Sequence, residues 1–223
     1  FDFLKKAKRS GVRGTGFDER EKKLFALGID ESQFPKDGCP SEGEINELIN
    51  LYHEGLLQEC MHKINDLLQR FPKSPVIWNI RGSVRAGQKQ FTDAIVSYKK
   101  SLSLKPGIAE VHNNIGIALH QNGSTEEAIL SYNKALSINP SYADAYNNMG
   151  ITLKDQGMYA EAIKSYTQAL TFSPKNVVSY YNIGVALQAQ GKHKEAILYY
   201  KKGLGIQPKF VEALNNLGIA LRE

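Results

Sequence analysis

An all-α chain of tandem helix pairs is the fold class that three features of the sequence predict. Pro72, Pro106, Pro140, Pro174 and Pro208 stand 34 residues apart, and the blocks between them align without a gap. Gly82, Gly116, Gly150, Gly184 and Gly218 keep one register, Ala94, Ala128, Ala162 and Ala196 a second, and Tyr98, Tyr132, Tyr166 and Tyr200 a third. Apolar residues recur at helical spacing, as do Ala128, Ile129, Tyr132, Ala135, Leu136 and Ile138 of EEAILSYNKALSIN. A fixed internal period of this size is the mark of repeat architectures.

Residues 1–40 lie outside the repeat. Lys5, Lys6, Lys8, Arg9 and Arg13 against Asp2 give residues 1–13 a charge of +4 out of the net +5. SGVRGTG reads as a flexible linker. DEREKKLFALG reads as a short helix with Asp18 as N-cap, Glu21 completing a capping box and Gly28 closing it. QFPKDGCPSEG is a second linker, and Leu24, Phe25 and Leu27 are placed to dock on the first repeat. Phe1, Phe3 and Leu4 beside the basic residues would suit a membrane-surface helix, but at this length disorder is the better reading.

A degenerate repeat follows at 41–74, where Leu48 and Cys60 replace the glycine and alanine, while Gly55 keeps the turn and Pro72 the stop. Such divergence is expected of a terminal unit. Full repeats are read at 75–108, 109–142, 143–176 and 177–210, and a partial one at 211–223. Gly123, Gly157 and Gly191 sit where the first helix of a pair ends, a place that favours a left-handed residue. Proline then stops the second helix. Gly150 and Ala162 are expected to face each other, small side chains that let two backbones come close.

Several residue types repeating in register over 41–223 resemble the tetratricopeptide repeat, with its 34 residues, paired antiparallel helices and closing proline. The resemblance implies a right-handed α-solenoid whose first helices line a concave inner surface. Blocks such as YADAYNNMGITLKDQGMYAEAIKSYTQAL are similar to those of O-linked N-acetylglucosamine transferases and of bacterial sulfotransferases with such arrays.

Composition narrows the function. The chain has 223 residues, 42% hydrophobic and 23% charged, in the range of ordinary folded proteins. No run of about 18 apolar residues is present to cross a membrane. Beyond residue 13 the chain is nearly neutral, without the basic stripe that a nucleic-acid surface would carry. Cys39 and Cys60 are too few for a disulfide scaffold, and no apolar core of a secretory signal follows the basic start, so a cytoplasmic location is expected. His53, His62, His112, His120 and His193 show no metal-ligand spacing, and no CxxC, GxSxG or phosphate loop occurs. The expectation is a non-enzyme with no metal and no cofactor.

The recurring polar residues of the first helices point to binding. Counting from each repeat start, the sixth position holds Ile80, Asn114, Asn148, Asn182 and Asn216; the fifth holds Asn79, Asn113, Asn147, Tyr181 and Asn215. An amide both donates and accepts, which suits an extended peptide backbone of varied sequence. The resemblance to O-linked N-acetylglucosamine transferases implies the same use. The competing reading is that these amides bond to neighbouring helices. Ile80 interrupts the ladder at its start.

The ninth position gives an apolar row of Ile117, Ile151, Val185 and Ile219 after Ser83, fit for core or groove alike. Acids at position two, such as Glu110, Asp144 and Glu212, and bases at position twelve, such as His120, Lys154 and Arg222, complement the helix dipole. The repeat subgroup that clamps the C-terminal carboxylate of heat-shock chaperones uses lysine and arginine on inner helices; asparagine and aliphatic residues stand there instead, so that partner is rejected. Tyr98, Tyr132, Tyr166 and Tyr200 are expected to pack between repeats.

Three functional readings result. The first is a scaffold that binds an extended peptide of a protein partner through Asn114, Asn148, Asn182 and Asn216, with Asn113, Asn147, Tyr181 and Asn215 beside them. The second, prompted by a chain that lacks an initial methionine and ends inside a repeat, is the substrate-recruiting part of a larger glycosyltransferase or sulfotransferase. The third is self-association through the helix at 211–223.

Overall fold

The protein is described by a computed structural model over residues 40–223, so the basic tail, the short helix expected at 18–28, the first linker and residues 33–39 of the second lie outside the described residues; Glu42 and Gly43, read as the end of that second linker, instead belong to the first helix, which Ser41 caps. The described residues form eleven helices and no strand. They are α1 (Glu42–His53), α2 (Leu57–Arg70), α3 (Pro75–Gly87), α4 (Phe91–Leu104), α5 (Ala109–Gln121) and α6 (Thr125–Ile138). After these come α7 (Ala143–Asp155), α8 (Tyr159–Phe172), α9 (Val177–Ala189), α10 (His193–Ile206) and α11 (Val211–Ala220). Helices α1–α6 belong to one compact unit and α7–α11 to another.

Local chemistry places the helix ends. Ser41 caps α1 in a capping box: its Oγ accepts from Glu44 N, and Glu44 Oε2 accepts from Ser41 N at 2.8 Å. The Ser41 bonds and Arg70 hold the Glu44 carboxyl below its ordinary range. Ser74 caps α3, with Pro75 in the first turn where its missing N–H costs nothing, and Asn176 caps α9. Between the helices of a pair, Gly55, Gly123, Gly157 and Gly191 take φ between +72° and +83°. At the corresponding turn of 75–108 the residue is Lys89, at φ +60°, which costs roughly 1 kcal/mol that glycine avoids.

The small-residue crossing has a different cause from the one expected. Gly82, Gly116, Gly150 and Gly184 lie under the rings of Tyr98, Tyr132, Tyr166 and Tyr200, each from the second helix of the same pair. A Cβ at Gly150 would sit 2.6 Å from Tyr166 Cε1. The tyrosines are therefore buried, as expected, and each rests on the glycine of its own pair. Ala94, Ala128, Ala162 and Ala196 are fully buried beside them.

In α1 and α2 the large residue changes sides. Leu48 stands where the others have glycine and Ile64 where they have tyrosine, and both are fully buried. Cys60 is buried with them and donates to Leu48 O at 3.4 Å; burial pushes its thiol up to about 11. With Ile45, Leu67, Val76, Ile77 and Val84 these residues form the core under the first two pairs.

Replacing Gly150 by alanine should therefore destabilise the fold by about 1–3 kcal/mol through overpacking against Tyr166, outweighing the roughly 1 kcal/mol that alanine gains in a helix. At Gly218 an added Cβ would meet no atom within 4 Å, so the same change should be neutral or stabilising. Urea denaturation of the two variants compares them directly.

Candidate functional site

In each unit the first helices of successive pairs touch one another, α1 with α3 and α3 with α5, then α7 with α9 and α9 with α11. In each unit they form a layer, and in the C-terminal unit its fifth and sixth positions are joined by hydrogen bonds. Asn147 Oδ1 on α7 accepts from Ser179 Oγ at 3.2 Å and from Asn182 Nδ2 at 3.5 Å, both on α9. One pair further, Asn216 Nδ2 of α11 donates to Tyr181 Oη of α9 at 3.2 Å. The fifth-position residue of one pair thus meets the sixth-position amide of the next.

The ladder residues are not equally accessible. Asn79, Asn113 and Asn182 are buried, the last at 8% exposure, and Ile80 is buried too. Asn114, Asn147, Asn148, Tyr181 and Asn216 are half-buried, and Asn215 is exposed. Part of the ladder therefore serves helix-to-helix contact, the alternative that the sequence left open. The ninth-position row is more open: Ile117 and Ile219 are 37% and 39% exposed, Ile151 and Val185 half-buried, and Ser83 buried.

The buried tyrosines reach this layer from behind. Tyr98 Oη lies 3.2 Å from Ser83 Oγ at the ninth position, and Tyr200 Oη donates to Gln188 Oε1 at 2.9 Å at the twelfth. Burial, with Tyr181 nearby, pushes Tyr200 up to about 12, while the bond with Asn216 opposes that rise. Tyr181 breaks the asparagine register and packs edge-on to Phe210 at 5.2 Å between ring centroids. Neither contact was visible in the repeat pattern, because each joins different registers of different helices.

Among the described residues no three His, Cys, Asp or Glu side chains gather to hold a metal ion. His193 Nδ1 lies 2.7 Å from Glu223 Oε2 beside a shallow cleft between the start of α10 and the end of α11. No described helix is long and apolar enough to cross a membrane.

The comparisons agree with this architecture. A profile described as TPR repeat matches residues 82–123 and 118–157, and one described as tetratricopeptide repeat matches 141–209. Together they span more than half of the chain. No curated protein sequence matches this one. Among solved structures, MamA is 26% identical with a TM-score of 0.65, covering 73% of this chain and 95% of its own. PilW, a widely conserved type IV pilus biogenesis factor, is 22% identical at a TM-score of 0.70, covering 87% of this chain and 91% of its own. YrrB, a TPR protein with an unusual peptide-binding site, is 18% identical at 0.61, covering 89% and 97%.

Asn147→Ala should cost about 1–3 kcal/mol, because it leaves the buried Ser179 hydroxyl without its acceptor. Tyr181→Phe should cost less, since Asn216 is half-exposed and water can replace the lost bond. Chemical denaturation of both variants gives the order.

Proposed function

Because the chain belongs to the tetratricopeptide-repeat family, we propose that it is a protein-interaction scaffold whose layer of first helices binds an extended peptide of a partner protein. The observation that carries this reading is the pairing, on the first helices within each unit, of half-buried amides with a partly exposed aliphatic row. Asn148 and Asn216 stand about one turn from Ile151 and Ile219, so backbone hydrogen bonding and side-chain pockets come together. In the N-terminal unit Asn114 and Ile117 offer the same combination.

The bond between Tyr181 and the half-buried Asn216 supports this role rather than competes with it. An amide has more than one donor and acceptor site. A fifth-position residue that holds the sixth-position amide fixes its orientation and leaves capacity for a ligand, which reduces the ordering cost of binding. YrrB, of the same fold, is described as having an unusual peptide-binding site, so a fold of this kind accommodates such a ligand.

Peptides selected from a displayed random library against the intact chain supply the probe. The double variant Asn148→Ala and Asn216→Ala should bind a selected peptide roughly tenfold more weakly, about 1.4 kcal/mol, with melting little changed. Unchanged affinity, or equal loss of binding and folding, would defeat the reading.

We also propose self-association through α11. Leu214 on α11 and Leu221 just past its end are exposed at 47% and 60%, seven residues apart and so on one side of the helix, apolar exposure of the kind that marks an interface. Light-scattering mass should rise with concentration, and Leu214→Glu with Leu221→Glu should abolish the rise. A mass that stays monomeric over two decades of concentration rejects it.

A further inference from the structure

The repeat 75–108 departs from its neighbours at two registers that the peptide-binding layer does not use. Position seven holds Arg81 and position eleven Arg85, where repeats 109–142 and 177–210 place buried aliphatic residues, Ile115 with Leu119 and Ile183 with Leu187. Two arginines one turn apart in a seam made for aliphatic side chains call for a physical reason.

Their surroundings leave them under-satisfied. The Arg81 guanidinium carbon stands 5.0 Å from the centroid of the Trp78 ring, a cation–π arrangement. Trp78 is itself fixed, its Nε1 donating to Pro72 O at 3.0 Å. Arg85 Nη1 donates to Gln88 Oε1 at 3.4 Å and to Gln90 Oε1, which orients the guanidinium without neutralising it. The Nε atoms of both arginines are buried and have no hydrogen-bond partner among the described residues. Burial and the neighbouring Arg85 both disfavour the charge on Arg81, and Asp93 alone opposes them. Asp93 forms no ion pair with either arginine among the described residues.

We propose that Arg81 and Arg85 form a carboxylate site that takes the side chain of a single Asp or Glu from an acidic peptide segment. A guanidinium offers planar paired donors that match the two oxygens of a carboxylate. The Trp78 face holds one fork in place before binding, and the glutamines hold the other. Charge selects the ligand: two cations against Asp93 leave one unit uncompensated, which a carboxylate matches and a phosphoryl dianion overshoots. Both arginines are half-buried, so their outer edges are open to an incoming group. The site lies in α3 and does not depend on the asparagine layer, so it stands or falls separately from the peptide groove.

The arginine Nε–H resonances of the intact chain, observed by NMR, test the assignment. The probes are acetyl-Gly-Glu-Glu-Gly-amide, its glutamine counterpart and inorganic phosphate. The glutamate peptide should move the Arg81 and Arg85 signals saturably, and the glutamine peptide should not. Arg81→Lys with Arg85→Lys keeps both charges but loses the forks, and should weaken binding roughly tenfold. Asp93→Asn keeps both arginines, removes the competing acid, and should tighten binding about threefold by the same relation. Signals that do not move, that respond equally to the glutamine peptide, or that respond more tightly to phosphate overturn the proposal. So does full affinity in the lysine variant or weaker affinity in Asp93→Asn.

Discussion

The structure depends first on the seat that each first-helix glycine makes for a tyrosine of the second helix. A helix pair needs a close crossing to bury its apolar faces, and an aromatic ring is the largest group that one crossing can hold. Gly116 under Tyr132 and Gly184 under Tyr200 show the solution: the Cβ is removed on one side so that the ring lies against bare backbone. Interiors are close-packed, so volume lost on one helix must be restored on the other. The first pair solves the same problem in mirror fashion, with Leu48 in place of glycine on the first helix and Ile64 in place of the larger tyrosine on the second. Gly218 on α11 has no ring over it, and the apolar residues around it remain exposed.

Around that crossing the chain separates apolar from polar work. The second helices supply rings and alanines to the interior, while the first helices carry amides and hydroxyls that bond across to the next pair, as Asn147 does to Ser179 and Asn182. Buried polar groups are tolerable only when they are satisfied, so this polar seam also specifies register. A one-residue slip would leave Ser179 without its acceptor.

The two units are finished differently on this common plan. Near the end of the chain, aromatic side chains gather: Tyr180 with Tyr199, Tyr181 with Tyr200 and Phe210, and Lys202 over Tyr199. In the N-terminal unit, α3 instead carries Arg81 and Arg85 with Trp78. A repeat frame tolerates such divergence because each pair needs only its nearest neighbours for stability. What the frame does not need, the individual repeat is free to use for recognition.

The proline period and the glycine, alanine and tyrosine registers determined the helical class and the order of the helices, because breaking and permitting backbone conformations are local properties of those residues. The left-handed turns at Gly123, Gly157 and Gly191 were legible for the same reason, whereas Lys89 in that conformation was not, since nothing in its chemistry asks for it. The asparagines were visible as a pattern, but their burial was not. Asn148 and Asn182 share a register in the sequence, yet one is half-buried and the other nearly enclosed, because burial depends on which neighbouring helix lies above. Likewise the pairing of glycine with tyrosine inside a repeat, and of a fifth position with the next sixth, joins residues 16 or 35 apart. Periodicity places each residue on its own helix; only the packing of one helix on another decides which side chain it meets.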